Sequence, residues 1–124
     1  MAVVAREDRW TCLPDAAPPA YDCSVVVLNW NKRDRLRLGL EALHRPSSLR
    51  LEVIVVDNSS TDGSPEMVRR HFPQVLLLEA GHNLGIARGK NLGLRAASAE
   101  FVLVADDDVL VYPEQLEALL QVAR

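Results

Sequence analysis

Cysteine is scarce, with two residues, Cys12 and Cys23, in a chain of 124. Two thiols make no disulfide framework, and both fit a reducing compartment. The three histidines, His44, His71 and His82, are scattered, so no Cys/His cluster has zinc-site spacing and no Ser/His/Asp or Cys/His arrangement can be read. Long apolar runs are missing as well. No stretch of about 18 apolar residues exists to span a membrane. Arg6, Glu7, Asp8 and Arg9 stand where a signal peptide needs its apolar segment, so a cytoplasmic location is expected. Excess positive charge is also absent. A formal charge of −3 argues against nucleic acid as a bulk-charge partner. Neither G-x-x-x-x-G-K-[ST] nor G-x-G-x-x-G occurs, which leaves a P-loop nucleotidase and a dinucleotide-binding Rossmann enzyme unsupported.

What is present is an ordinary globular composition, 48% hydrophobic and 25% charged, sufficient for one domain with a real core. Residues 1–21 read as a flexible tail and linker, with Pro14, Pro18 and Pro19 and no periodicity; Trp10 alone there could dock. From residue 22 to 124 the pattern alternates. Short β-branched or leucine runs at 23–28, 51–56, 75–78 and 101–105 read as strands. Leu36, Leu40 and Leu43 mark one helix, and Ser64-Pro65-Glu66 opens a second with Ser64 as its cap. A third runs from about Gly85 to Ala97 behind Asn83, and a fourth follows Pro113. Gly85, Gly89 and Gly93 fall four apart on that third helix; each interior glycine costs roughly 1 kcal/mol, so close approach to the sheet or a ligand is the expected compensation. The expected fold is α/β: a mainly parallel four-stranded sheet flanked by helices on both faces.

In such sheets ligands bind beyond the carboxyl ends of the strands. Asn29-Trp30-Asn31, Asp57 and Asp106-Asp107-Asp108 all follow strand ends and should open onto one rim. Crowded carboxylates repel unless water or a cation offsets them, and hard cations such as Mg²⁺ or Mn²⁺ take oxygen ligands. An Asp-rich loop is, on its own, more often a solvated turn. Asp57 divides evenly between contacting a base or ribose and closing an Asx turn. Trp30 offers a ring for base stacking, against the commoner fate of packing. Arg88 and Lys90 oppose the dipole of the glycine-lined helix unless anions approach. Lys32, Arg33, Arg35 and Arg37 could touch phosphates or an anionic membrane surface, although a solvated face is the bland reading. His82 lies in a loop beside the same rim.

Four ordered blocks, Ser24–Asn31, Glu52–Ser64, Asn83–Gly93 and Phe101–Asp108, resemble the nucleotide-binding half of family 2 glycosyltransferases, which have the GT-A fold, a Rossmann-like nucleotide-binding architecture. The resemblance implies transfer of a sugar from a nucleotide-diphosphate-sugar with inversion at the anomeric carbon. By that match Asp106-Asp107-Asp108 is the D-x-D element, with Asp108 ligating Mg²⁺ or Mn²⁺ and Asp106 contacting the ribose or the metal shell. Asp57 matches the acid that contacts the pyrimidine, and Trp30 an aromatic position beside the base, with Asn29 in the same pocket. Arg88, Lys90 and Asn91 fall in the segment bordering the donor. The Asn-Trp-Asn and Asp-Asn-Ser-Ser variants are most similar to rhamnosyltransferase-type members, implying a UDP- or dTDP-sugar.

The family continues past the D-x-D into an acceptor site and an acidic base, whereas this sequence ends one helix later. Glu114 and Glu117 do not occupy the expected base position, so no catalytic base is assigned. The expectation is a donor- and metal-binding half that transfers sugar poorly alone, with apolar surface left for self-association or a partner chain. The alternative is a non-catalytic nucleotide- or sugar-binding module acting with a partner chain. A receiver-like signalling domain is weaker, because its acidic pair belongs after the first strand.

Overall fold

The computed structural model describes residues 2–5, 20–106 and 110–123, so Trp10, Cys12, Asp107 and Asp108 lie outside the described residues. Among the described residues nine elements follow in order: β1 (Ala2–Ala5), β2 (Cys23–Asn29), α1 (Arg33–Leu43), β3 (Leu51–Asp57), α2 (Ser64–His71), β4 (Leu76–Glu79), α3 (Ile86–Ala96), β5 (Phe101–Ala105) and α4 (Pro113–Ala123). The sheet order is β1-β5-β2-β3-β4, with β5, β2, β3 and β4 parallel and β1 antiparallel to β5. The mainly parallel α/β sheet is therefore as expected. One addition is β1: Ala2–Ala5, inside the segment read as a tail, pairs Ala2 with Val104 and Ala5 with Phe101. Four residues carry no period long enough to announce a strand, and only the free edge of β5 gives them a partner.

Alternating side chains divide the core between the two sheet faces. Val25, Val27, Val53, Val55 and Leu103 pack with Leu36 and Leu40 of α1, Val68 of α2 and Leu116 of α4. On the other face Val26, Ile54, Val56 and Val102 meet α3 through Leu92 and Ala96. The α3 glycines explain that second contact. A Cβ at Gly93 would lie 2.3 Å from Val26 Cγ1, and one at Gly89 2.5 Å from Leu28 Cδ1. Both glycines let the helix backbone reach the sheet, as their spacing predicts. Gly85 differs: a Cβ there meets nothing, and its role is conformational, at φ 81° and ψ 176°. Among the described residues no helix is long and apolar enough to cross a membrane.

Helix starts depart from expectation in one respect. Ser64 is the first residue of α2 rather than its cap; Gly63, at φ 86°, stands before it. The capping oxygen belongs to Asp62, whose Oδ1 accepts from Ser64 N–H at 3.1 Å. Its Oδ2 accepts from Arg33 N–H at 2.9 Å, so one carboxylate serves the starts of both α1 and α2. Burial opposes the charge of Asp62. Hydrogen bonds from the Ser64 side chain and from the Arg33 and Ser64 backbone outweigh it and hold the carboxyl below its ordinary range.

Candidate functional site

The chain order reverses between β2 and β5: successive units step from β2 to β3 and β4, and then β5 returns to the opposite side of β2. The loops beyond β2 and β5 diverge at such a switch point and leave a crevice. Here the crevice is a cavity of about 350 Å³, lined by Leu28, Trp30, Lys32, Asn58, Asn83, Gly85, Ile86, Lys90 and Asp106. Trp30 is 52% exposed and Ile86 69%, so with Leu28 three large apolar side chains join the charged and amide groups that line the opening. Lys90 Nζ stands 3.5 Å from Asp106 Oδ1, both half-exposed. Solvent screening limits such a pair to about 0–1 kcal/mol, little resistance to exchange for a ligand.

Of the sequence candidates, Trp30, Lys90 and Asp106 meet at this cavity. Arg88 and Asn91 do not. They line a separate depression with Leu84, Leu92 and Arg95. The reason is helical: at about 100° per residue, Ile86 and Lys90 share one side of α3 while Arg88, Asn91 and Arg95 share another. His82 is exposed in the β4–α3 loop and is not among the residues lining the cavity.

Asn29 and Asp57 sit directly behind the Trp30 turn as a cross-strand pair. Asn29 is fully buried and donates from Nδ2 to Asp57 Oδ1 at 3.0 Å. Asp57, 2% exposed, also accepts from Ser60 Oγ at 2.7 Å and from Ser60 N–H at 2.9 Å through Oδ2. Asp57 thus bonds the backbone of its own loop, three residues on rather than the two of an Asx turn. A carboxylate has about four acceptor sites, and among the described residues one on Oδ2 stays unfilled. Ser60 is a hub that sequence reading missed. Its hydroxyl donates to Asp57 and accepts from Asn29 Nδ2 and from Asn31 N–H at 2.9 Å. Asn31 completes the lock: at φ 51°, it accepts Thr61 N–H at 2.8 Å through Oδ1. Asn29 Oδ1 alone, buried, has no partner among the described residues. An acceptor left so costs about 1–3 kcal/mol.

For a cation, Asp106 is the one described member of the aspartate triplet, and it is among the residues lining the cavity. A rim carboxylate is the right donor type for Mg²⁺ or Mn²⁺. Among the described residues no group of three His, Cys, Asp or Glu could hold a metal. Glu117 is occupied elsewhere, accepting from the Ser47 and Ser48 hydroxyls near the amino end of β3.

A doubly wound sheet with a cavity at its switch point defines a Rossmann-like architecture. The sequence matches the model of glycosyl transferase family 2 over residues 24–124, and the chain belongs to that family. An Escherichia coli K12 protein named uncharacterized glycosyltransferase YibD is 32% identical over 103 residues, covering 81% of this chain and 30% of the relative. The N-acetylglucosaminyl-diphospho-decaprenol L-rhamnosyltransferase of Mycobacterium tuberculosis is 33% identical, with 80% and 36% covered. Among solved structures, Staphylococcus aureus TarS in complex with UDP superposes with a TM-score of 0.70 at 26% identity, covering 81% of this chain and 31% of that one. The mannosyltransferase PcManGT of Pyrobaculum calidifontis, in complex with GDP-Man and Mn²⁺, gives 0.66 at 34% identity, with 94% and 36% covered. The chain spans about a third of the length of these relatives.

Proposed function

We propose that this chain provides the donor-binding part of an inverting glycosyltransferase, holding a nucleotide-diphosphate-sugar in the switch-point cavity. The observation that carries the reading is the convergence of Trp30, Lys32, Lys90 and Asp106 on one opening of nucleotide size. Complexes of two similar structures with UDP and with GDP-Man and Mn²⁺ support it.

In this reading the Trp30 ring stacks on the base, and the unfilled acceptor site of Asp57 takes a base N–H once the loop yields slightly. Lys90 leaves Asp106 and turns to the diphosphate, exchanging a screened ion pair for a doubly charged ligand. Asp106 and Asp108 would hold Mg²⁺ or Mn²⁺. Bound there, the metal would supply Lewis-acid stabilisation of the charge left on the departing diphosphate. A UDP- or dTDP-sugar is the proposed donor. Arg88 and Asn91, on the outer side of α3, take no part in this arrangement.

Calorimetric titration of the chain with UDP, dTDP and GDP, with and without Mn²⁺, tests the proposal. Expected is metal-dependent binding of a pyrimidine diphosphate, abolished by Asp108→Ala. Absence of binding, or binding indifferent to Mn²⁺, refutes it. Binding without sugar transfer or hydrolysis of the donor favours a non-catalytic module serving a partner chain.

A further inference from the structure

One buried side chain at the cavity has no part in the chemistry just described, and its bonds all concern the cavity wall. Asn58 follows Asp57 at the end of β3 and is 3% exposed. Its Nδ2 donates to Gly85 carbonyl oxygen at 3.2 Å, and its Oδ1 accepts from Leu84 N–H at 3.2 Å. Its own N–H donates to Asn29 carbonyl oxygen at 2.9 Å. A single amide therefore ties the end of β2 and β3 to the turn that opens α3. Both side-chain bonds go to backbone, on either side of the residue whose conformation is least ordinary. Gly85, at φ 81° and ψ 176°, occupies a region that essentially only glycine enters. It begins the side of α3 that carries Ile86 and Lys90 into the cavity.

We infer that Asn58 is a positioning residue for the donor: by fixing Leu84 and Gly85 it sets where Ile86 and Lys90 stand opposite Trp30. The inference rests on the donor-site reading above. The physical case is that, among the described residues, the turn has no other brace of this strength. Asn83 Oδ1 bonds Gly85 N–H at 2.9 Å, but that contact is local and exposed, and it moves with the loop. Asn58 alone anchors the loop to the sheet through both amide atoms. The glycine at 89 keeps room for this amide, because a Cβ there would lie 3.3 Å from Asn58 Nδ2. Asparagine is the residue that offers a donor and an acceptor at this reach.

Two variants test it on the whole chain. Asn58→Ala removes the brace, while Gly85→Ala leaves the brace and forbids the backbone conformation, its added methyl meeting open space. Hydrogen exchange by NMR should show faster exchange at Leu84 and across the first turn of α3 in Asn58→Ala, with the Val26 and Ile54 amides unchanged. Affinity for UDP with Mn²⁺ should fall about tenfold in each variant, the scale of one lost buried hydrogen bond. The double variant should bind no more weakly than the weaker single one, since both act through one loop conformation. Unchanged affinity in Asn58→Ala, or fully additive losses, overturns the inference. If the unaltered chain binds no nucleotide, the donor-site reading falls and the ligand half of this inference with it. The exchange measurement then still decides whether Asn58 fixes the turn.

Discussion

At the amino end of the β2–β3 ladder Ser24 faces Glu52, and at its carboxyl end Asn29 faces Asp57. Both ends thus place a carboxylate against a polar partner across the same two strands. At the amino end the account closes. Ser24 Oγ donates to Glu52 at 2.7 Å and accepts Ala99 N–H at 3.0 Å, and Ser98 donates to Glu52 from both its backbone and its hydroxyl. The result is a clasp joining the end of α3 to the sheet. At the carboxyl end the account stays open: Asn29 Oδ1 has no partner among the described residues, and its chain neighbours Leu28 and Trp30 line the cavity. All five positive-φ residues among those described, Asn31, Ser59, Gly63, Gly81 and Gly85, belong to loops at this end. The same residue chemistry serves stability at one end and leaves capacity at the other. Unspent hydrogen bonding and unusual backbone gather where a ligand would enter.

Four substitutions would break or sharpen this contrast. The largest effect is expected from Asp57→Ala, which strands the Asn29 amide and two donors of Ser60 in a buried site. It should cost about 3 kcal/mol in chemical denaturation and also abolish nucleotide binding. The matching change, Glu52→Ala, should cost less, about 1–2 kcal/mol, because half-exposed Ser98 can turn to water; its nucleotide affinity should be unaltered. Equal loss of binding in both would erase the functional distinction between the ends.

A second change inverts the pattern. Trp30→Ala should leave stability within about 0.5 kcal/mol, since the ring is half-exposed, yet weaken nucleotide binding about tenfold or more through lost stacking. Titration beside a melting curve measures both. The smallest effect concerns Asp62. Its folded-state pKa lies below the ordinary aspartate value of about 3.9, so its contribution is complete above that value and is lost as pH falls through the folded-state pKa. Asp62→Asn should therefore lower the melting temperature slightly at neutral pH and flatten its acid decline; an unchanged acid slope would remove Asp62 from the account.

The amino end also explains the inert thiol. Cys23 is buried at the start of β2, and burial pushes its pKa up to about 11. A buried thiol held protonated in this way is inert as a nucleophile.

Much of this was legible in the residues. The runs Cys23–Leu28 and Phe101–Ala105 are strands because β-branched and leucine side chains repeat without polar interruption, as both-face burial requires. The carboxyl-end rim followed from topology alone, and the spacing of Gly89 and Gly93 foretold their contact with the sheet. Other features had no local signal. Ala2–Ala5 pairs only because β5 has a free edge. Asp62 rather than Ser64 caps α2, because the loop turns far enough to bring one carboxylate to two helix starts. Ser60 and Asn58 are common loop residues whose partners on other elements lie 26 to 31 positions away, a distance over which sequence spacing carries no geometry.

The sequence by itself determined the alternation of strands and helices, the family, and the end of the sheet at which polar residues collect, because hydrophobic periodicity and turn chemistry act over a few residues. Tertiary structure alone decided which candidates share a cavity. Lys90 and Asp106 meet across 16 positions while Arg88, two residues from Lys90, turns away. The rotation of α3 against the sheet makes that choice, and the depth at which Gly89 and Gly93 seat the helix sets it.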